Sequence, residues 1–147
     1  MTHRFPALIL AALTMTVALP AAEPWTAAEL LPPAQLAQRL TTGEKPLVIF
    51  VGPQYLYRAK HIAGSLDGGM AAKPEGIASL LALVKGKAPG TEIILYCGCC
   101  PMNVCPNIRP AVKALKNAGF TKVRLLELPT RLAQDWTEKG YPVASSR

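Results

Sequence analysis

"IILYCGCCPMNVCPNIRPAVKALKNAG", residues 93–119, passes from an apolar run through a cysteine-bearing loop into an amphipathic segment. Ile93, Ile94, Leu95 and Tyr96 carry no charge, the pattern of a strand buried on both faces of a parallel sheet. Beyond the loop, Ile108, Ala111, Val112, Leu115 and Ala118 return to one side of a 3.6-residue period. That predicts a helix over Arg109–Ala118, with Gly119 as its stop. Pro110 is tolerated only in the first turn of such a helix, where no backbone donor is needed. All four cysteines of the chain, Cys97, Cys99, Cys100 and Cys105, fall in the loop between the two elements.

Outward from this stretch, strand and helix signals alternate. Thr91–Cys97 is the expected extent of the first strand. "PLVIFV" (46–51) is a second continuous apolar run, bounded by Pro46 and Gly52, and "HIAGSL" (61–66) follows a polar loop. Gly68 and Gly69 turn the chain into a helix over Pro74–Val84, with Ile77, Leu80, Leu81 and Val84 inward. Nearer the N-terminus, Trp25–Leu31 reads as a short edge strand. Pro33 opens a helix through "PAQLAQRL" that Gly43 ends. On the other side, Val123–Leu128 reads as a strand and Thr130–Lys139 as a last helix closed by Gly140. Strands separated by helices of about ten residues predict one α/β domain with a mostly parallel central sheet flanked by helices. Such sheets bind ligands beyond the carboxyl ends of their strands, and Cys97 stands at that end of the most apolar one.

Residues 1–22 have the layout of a secretory signal peptide: a basic start "MTHR", an uncharged apolar run Phe5–Leu19, and the small residues "PAA". Fifteen apolar residues fall short of the roughly twenty needed to span a bilayer. The expected organisation is therefore a signal over 1–22 and one domain over 23–147. The mature chain would reside in the periplasm of a bacterium or outside it, with no stable membrane insertion. Cysteines there meet an oxidising environment. The net charge of +7 is scattered, with no basic run or aromatic-interleaved patch, so a nucleic-acid partner is not expected.

Four thiols within nine residues support several chemistries. Cys97 and Cys100 form a C-x-x-C pair, and four cysteines allow three pairings, either redox-active or simply stiffening the loop. As thiolates, Cys97, Cys99, Cys100 and Cys105 would suit a soft metal, Cu(I) or zinc. Adjacent Cys99 and Cys100 fit the usual zinc spacing poorly. Met102 offers a further soft donor or a loop contact. His61 has no metal-spaced partner and reads as a structural histidine bonded to nearby backbone. Arg58 and Lys60 flank it and are candidates to face a pocket.

The ordered motifs resemble the rhodanese-like family, the sulfurtransferase fold. "LVIFV" looks like the family's first buried strand and "HIAGSL" like its His-Ile-x-Gly-Ala/Ser motif. "IILYC" with the helix ending "LKNAGF" resembles the strand, cysteine and helix of its active site. "WTEKGYPV" (136–143) resembles its closing Trp-x-x-x-Gly-x-Pro-Val. The resemblance implies a persulfide carried on Cys97, with the loop N–H groups and the helix N-terminus stabilising the thiolate. Sulfur would pass from a small sulfur-containing anion such as thiosulfate to a thiol or cyanide, with no cofactor. Cys99, Cys100 and Cys105 would then be resolving or relay thiols, and Arg109 the nearest substitute for the family's substrate-binding arginine. Departures from the pattern are large. The four-cysteine loop is about five residues longer than the usual Cys-x-x-Gly-x-Arg-Ser, whose arginine position falls near Asn107. The family's Asp-x-Arg after the first strand is here Phe50, Val51 and Gly52. Its later Gly-Gly is Leu128 and Pro129.

Overall fold

The computed structural model describes residues 24–146; the expected signal segment, 1–22, lies outside them. Five strands form one parallel sheet. In chain order they are β1 (Leu30–Leu31), β2 (Leu47–Phe50), β4 (Leu66–Asp67), β5 (Glu92–Tyr96) and β6 (Lys122–Leu126). Their spatial order is β1-β6-β5-β2-β4. The two apolar runs that define the class lie side by side at its centre, Leu47 opposite Ile93 and Phe50 opposite Tyr96. A separate antiparallel pair joins β3 (His61–Ile62) to β7 (Val143–Ala144). The sheet and flanking helices confirm the α/β expectation.

Both faces are covered, which is why the central strands are apolar on both sides. Ile93, Leu95 and Cys97 point toward α3 (Pro74–Val84) and α4 (Ile108–Asn117), where Leu80, Val84, Ile108, Ala111 and Leu115 complete one core. Ile94 and Tyr96 point the other way, into a second core with Leu36 of α1 (Pro33–Thr41), Phe50, Leu132 and Trp136. The alternation follows from the two-residue period of a strand. The Tyr96 hydroxyl accepts a hydrogen bond from the Ile62 N–H at 3.0 Å and shares one with Ser65 at 2.9 Å, fastening the small antiparallel pair to the main sheet.

Four local readings are corrected. Trp25–Leu31 yields a strand at Leu30–Leu31 alone; residues 27–29 turn, and β1 exists because β6 offers its edge. The "polar loop" before His61 contains α2 (Gln54–Ala59), too short for its periodicity to show. The last helix is a single π-helical turn, Ala133–Thr137. Helix α4 ends at Asn117, so Ala118 is its C-cap and is exposed rather than on the inner face.

Candidate functional site

Strand β5 delivers Cys97 to the carboxyl edge of the sheet, and the chain then leaves it through Gly98. Gly98 has φ +73°, and a Cβ there would sit 2.7 Å from Leu132 Cβ. A glycine is required on both counts. The loop that follows folds back toward the same strand end. The Met102 N–H donates to the Leu128 carbonyl at 3.1 Å, and the Leu132 N–H to the Gly98 carbonyl at 3.1 Å. Pro101 and Pro106 restrict it further.

The result is a cluster of sulfurs. The Sγ atoms of Cys97, Cys99 and Cys105 all lie within 4.8 Å of one another. Cys97 and Cys99 are 3.1 Å apart, as are Cys99 and Cys100. All four cysteines are free thiols. Cys97 and Cys105 are buried, while Cys99 and Cys100 are half-buried. Among the three nearest sulfurs, a soft ion such as Cu(I) would find a trigonal thiolate set; a closed tetrahedral zinc site would need a fourth ligand, and Cys100 lies outside the group.

Asn107, only 2% exposed, stands over the cluster. Its Oδ1 accepts the Ala72 N–H at 2.9 Å, which fixes the amide and turns Nδ2 toward sulfur. Nδ2 donates to Cys97 Sγ at 3.5 Å and to Cys105 Sγ at 4.0 Å. Sequence reasoning did not pick Asn107 out as functional. The available signal is an uncharged polar residue at the N-cap of an amphipathic helix, just after the cysteine loop.

The thiols differ in acidity. The Cys97 thiol is pushed far up, first by its hydrogen bond to Cys105, then by burial and by Cys99. Cys105 is lowered to about 5, first by the bond it receives from Cys97, then by the backbone N–H groups of Asn107 and Ile108 and by Cys100. These N–H groups belong to the N-terminus of α4, which favours negative charge. Cys100 is raised to about 12, first by burial and then by its sulfur neighbours. The resting charge of the Cys97–Cys105 pair therefore sits on Cys105. Above pH 5 the ultraviolet absorbance of a thiolate is expected, disappearing as pH falls through about 5. Cys105→Ser should remove that titration; its persistence would place the anion elsewhere.

Cys97, Gly98 and Cys99 form one wall of a cavity of about 380 Å³. Phe50, Tyr55, Leu56 and Leu132 make its apolar walls, and Lys60 and Arg131 bring positive charge. Lys60 thus faces a pocket, whereas Arg58 is not one of its walls. The Arg109 guanidinium instead lies 4.3 Å over the Trp25 ring and lines a different hollow with Asn103. His61 is buried, its Nδ1 2.7 Å from the Tyr57 carbonyl and its ring stacked on Tyr57. That is a structural role. Met102 is buried in the core with Cys105.

Gly52, at the end of β2, leaves room for the thiol. A Cβ there would lie 2.8 Å from Cys97 Sγ and 2.6 Å from the Phe50 ring. Gly52→Ala is expected to displace Cys97 and change the rate at which its thiol is alkylated by roughly 10- to 100-fold, since a shift near 1 Å at a reacting atom has such effects. Timed alkylation followed by mass spectrometry checks this, and a normal rate would show that the space is not needed.

No protein-family model matches this sequence, and a search of curated proteins finds no relative. Solved structures do match. The rhodanese-like domain of an Anabaena protein superposes with a TM-score of 0.57 at 24% identity, over 80% of this chain and 79% of that one. A thiosulfate sulfurtransferase from Pseudomonas aeruginosa gives 0.58 at 19% identity, over 82% of this chain but 21% of the larger protein. The polysulfide-sulfur transferase homodimer from Wolinella succinogenes gives 0.54 at 18% identity, over 79% of this chain and 77% of its own. The chain therefore has the rhodanese-like fold, with a four-cysteine loop at the strand end.

Proposed function

We propose that this protein is an exported sulfurtransferase that carries sulfane sulfur as a persulfide on Cys97. The observation that carries the reading is the position of Cys97: at the carboxyl end of the central strand, in the wall of a cationic cavity, within hydrogen-bonding reach of an amide donor. The fold it shares with a thiosulfate sulfurtransferase and a polysulfide-sulfur transferase makes sulfur transfer the nearest chemistry.

The loading step is a displacement at sulfur. Cys97 gives up its proton to water and attacks the outer sulfur of thiosulfate. A Cys97–sulfur bond forms, the S–S bond of the donor breaks, and sulfite leaves with the electron pair. Asn107 Nδ2 stabilises charge on Cys97, while Lys60 and Arg131 attract the anion. An acceptor thiol or cyanide then removes the outer sulfur. Thiosulfate and cyanide together should give thiocyanate through a species of the reduced protein that is transiently heavier by one sulfur atom.

The three-sulfur cluster favours one second reading, a soft-metal-binding module. Intact native mass separates the two. A gain equal to a copper ion, retained natively and lost on denaturation, with no thiosulfate loading, would replace the carrier reading.

A further inference from the structure

Resting on the carrier reading of Cys97, we infer that Cys105 is a resolving thiol: it attacks the inner sulfur of the Cys97 persulfide from the core side and releases the cargo as sulfide. Displacement at sulfur is in line, so nucleophile and leaving sulfur must lie on opposite sides of the atom attacked. Cys97 borders the cavity alongside Gly98 and Cys99, and that is the side on which an added sulfur would extend. Cys105 is not a wall of that cavity. It is buried with Met102 and Ile108 in the core under α4, with its Sγ within 4.8 Å of Cys97 Sγ.

The surroundings support the same exchange. Asn107 Nδ2 reaches both sulfurs, at 3.5 and 4.0 Å, so one donor serves a charge that moves between them. The N–H groups of Asn107 and Ile108, at the start of α4, hydrogen-bond Cys105 and suit a sulfur that carries negative charge. Cys99 is placed differently. It shares the cavity with the outer sulfur, and a Cys97–Cys99 disulfide would have to close over Gly98 alone, a strained geometry. Cys99 therefore suits accepting the outer sulfur rather than displacing it.

The step balances without an outside oxidant. Cys97 thiol, Cys105 thiolate and thiosulfate become the Cys97–Cys105 disulfide, sulfite and hydrogen sulfide anion. Thiosulfate is reduced by two electrons, and the two thiols supply them. The proton that Cys97 gives to water on loading is returned from water to the departing sulfide, while Cys105 attacks as the thiolate. Each further cycle needs a dithiol reductant, of the kind that reduces protein disulfides, to reopen the pair.

The test is a single turnover of the reduced full-length mature protein with thiosulfate and no added reductant. Sulfide is trapped with an alkylating bimane and the protein weighed intact. Wild type is expected to release about one sulfide per chain and lose two hydrogens. Cys105→Ser and Cys105→Ala should release sulfide about 10²-fold more slowly, as loss of a neighbouring intramolecular thiol implies. Both should accumulate protein one sulfur atom heavier, which itself shows that they fold and load. Loading in all three with equal sulfide release would overturn the resolving role and leave the carrier reading intact. Transfer of the sulfide defect to Cys99→Ser would overturn it in favour of Cys99. No added sulfur in either Cys105 variant and no sulfide from wild type would overturn the carrier reading, and this inference with it.

Discussion

Cys97→Ser is expected to take no sulfur from thiosulfate and to lower transfer to cyanide by on the order of 10³-fold or more, as removal of a nucleophile does. A serine hydroxyl fills the same corner of the strand end but forms no persulfide. Under the proposed function Cys97 is expected to have no duplicate among its neighbours. Cys105 is walled off from the cavity, and Cys100 is held as a neutral thiol with its acidity reduced to about 12. Cys99 does reach the cavity, but it is the Cys97 sulfur that Asn107 Nδ2 approaches at 3.5 Å. Intact mass after thiosulfate, followed by thiocyanate formation, measures the effect. A Cys97→Ser protein that still gains one sulfur would move the nucleophile to Cys99. Cys100→Ser, outside the three-sulfur group, is expected to keep most of the transfer.

The largest effect on stability is expected at Trp136. Its side chain is fully buried, its Nε1 donates to the Pro142 carbonyl at 2.9 Å, and Tyr141 meets its ring edge-on at 5.1 Å. It belongs to the core that also holds Leu132, Phe50 and Tyr96. Trp136→Ala should cost about 3–5 kcal/mol, the usual loss for deleting a buried aromatic. That is a large part of the roughly 5–15 kcal/mol available to a domain of this size. Trp136→Phe keeps most of the volume and loses the hydrogen bond, so it should cost less. Urea unfolding of the three proteins decides the matter; a loss under about 1 kcal/mol for alanine would mean the layer repacks without it. Because Leu132 and Ala133 of the same segment line the cavity, the alanine variant should also weaken sulfur loading.

Most of the scaffold was legible because its signals are local. "LVIFV" and "EIILY" are apolar on both faces, so they had to be central strands, and Pro33 and Gly119 mark helix ends whatever surrounds them. The missing pieces depend on distant partners. Strand β1 is two residues long and exists only against Leu125 and Leu126. The six residues of α2 make fewer than two turns, too few to display a period. At the site, strand-end position and four clustered thiols pointed to Cys97 before any contact was known. Asn107 did not stand out, because its amide acts ten residues back in the chain and across to Ala72. Lys60, a pocket candidate from its place beside His61, lines the cavity. Arg131 was not singled out, and Arg109, one residue into α4, lies over Trp25.

The order of strands across the sheet also sets a timetable. The first strand to leave the ribosome, β1, hydrogen-bonds only to β6, about ninety-five residues later, and β3 waits for β7 near residue 143. An emerging chain can pair β2 with β4 and β5, but both outer seams stay open until the last fifth of the domain is made. Such long-range closure slows folding. Under the export proposed above, that delay would leave an extended chain time to cross a membrane before its sheet closes.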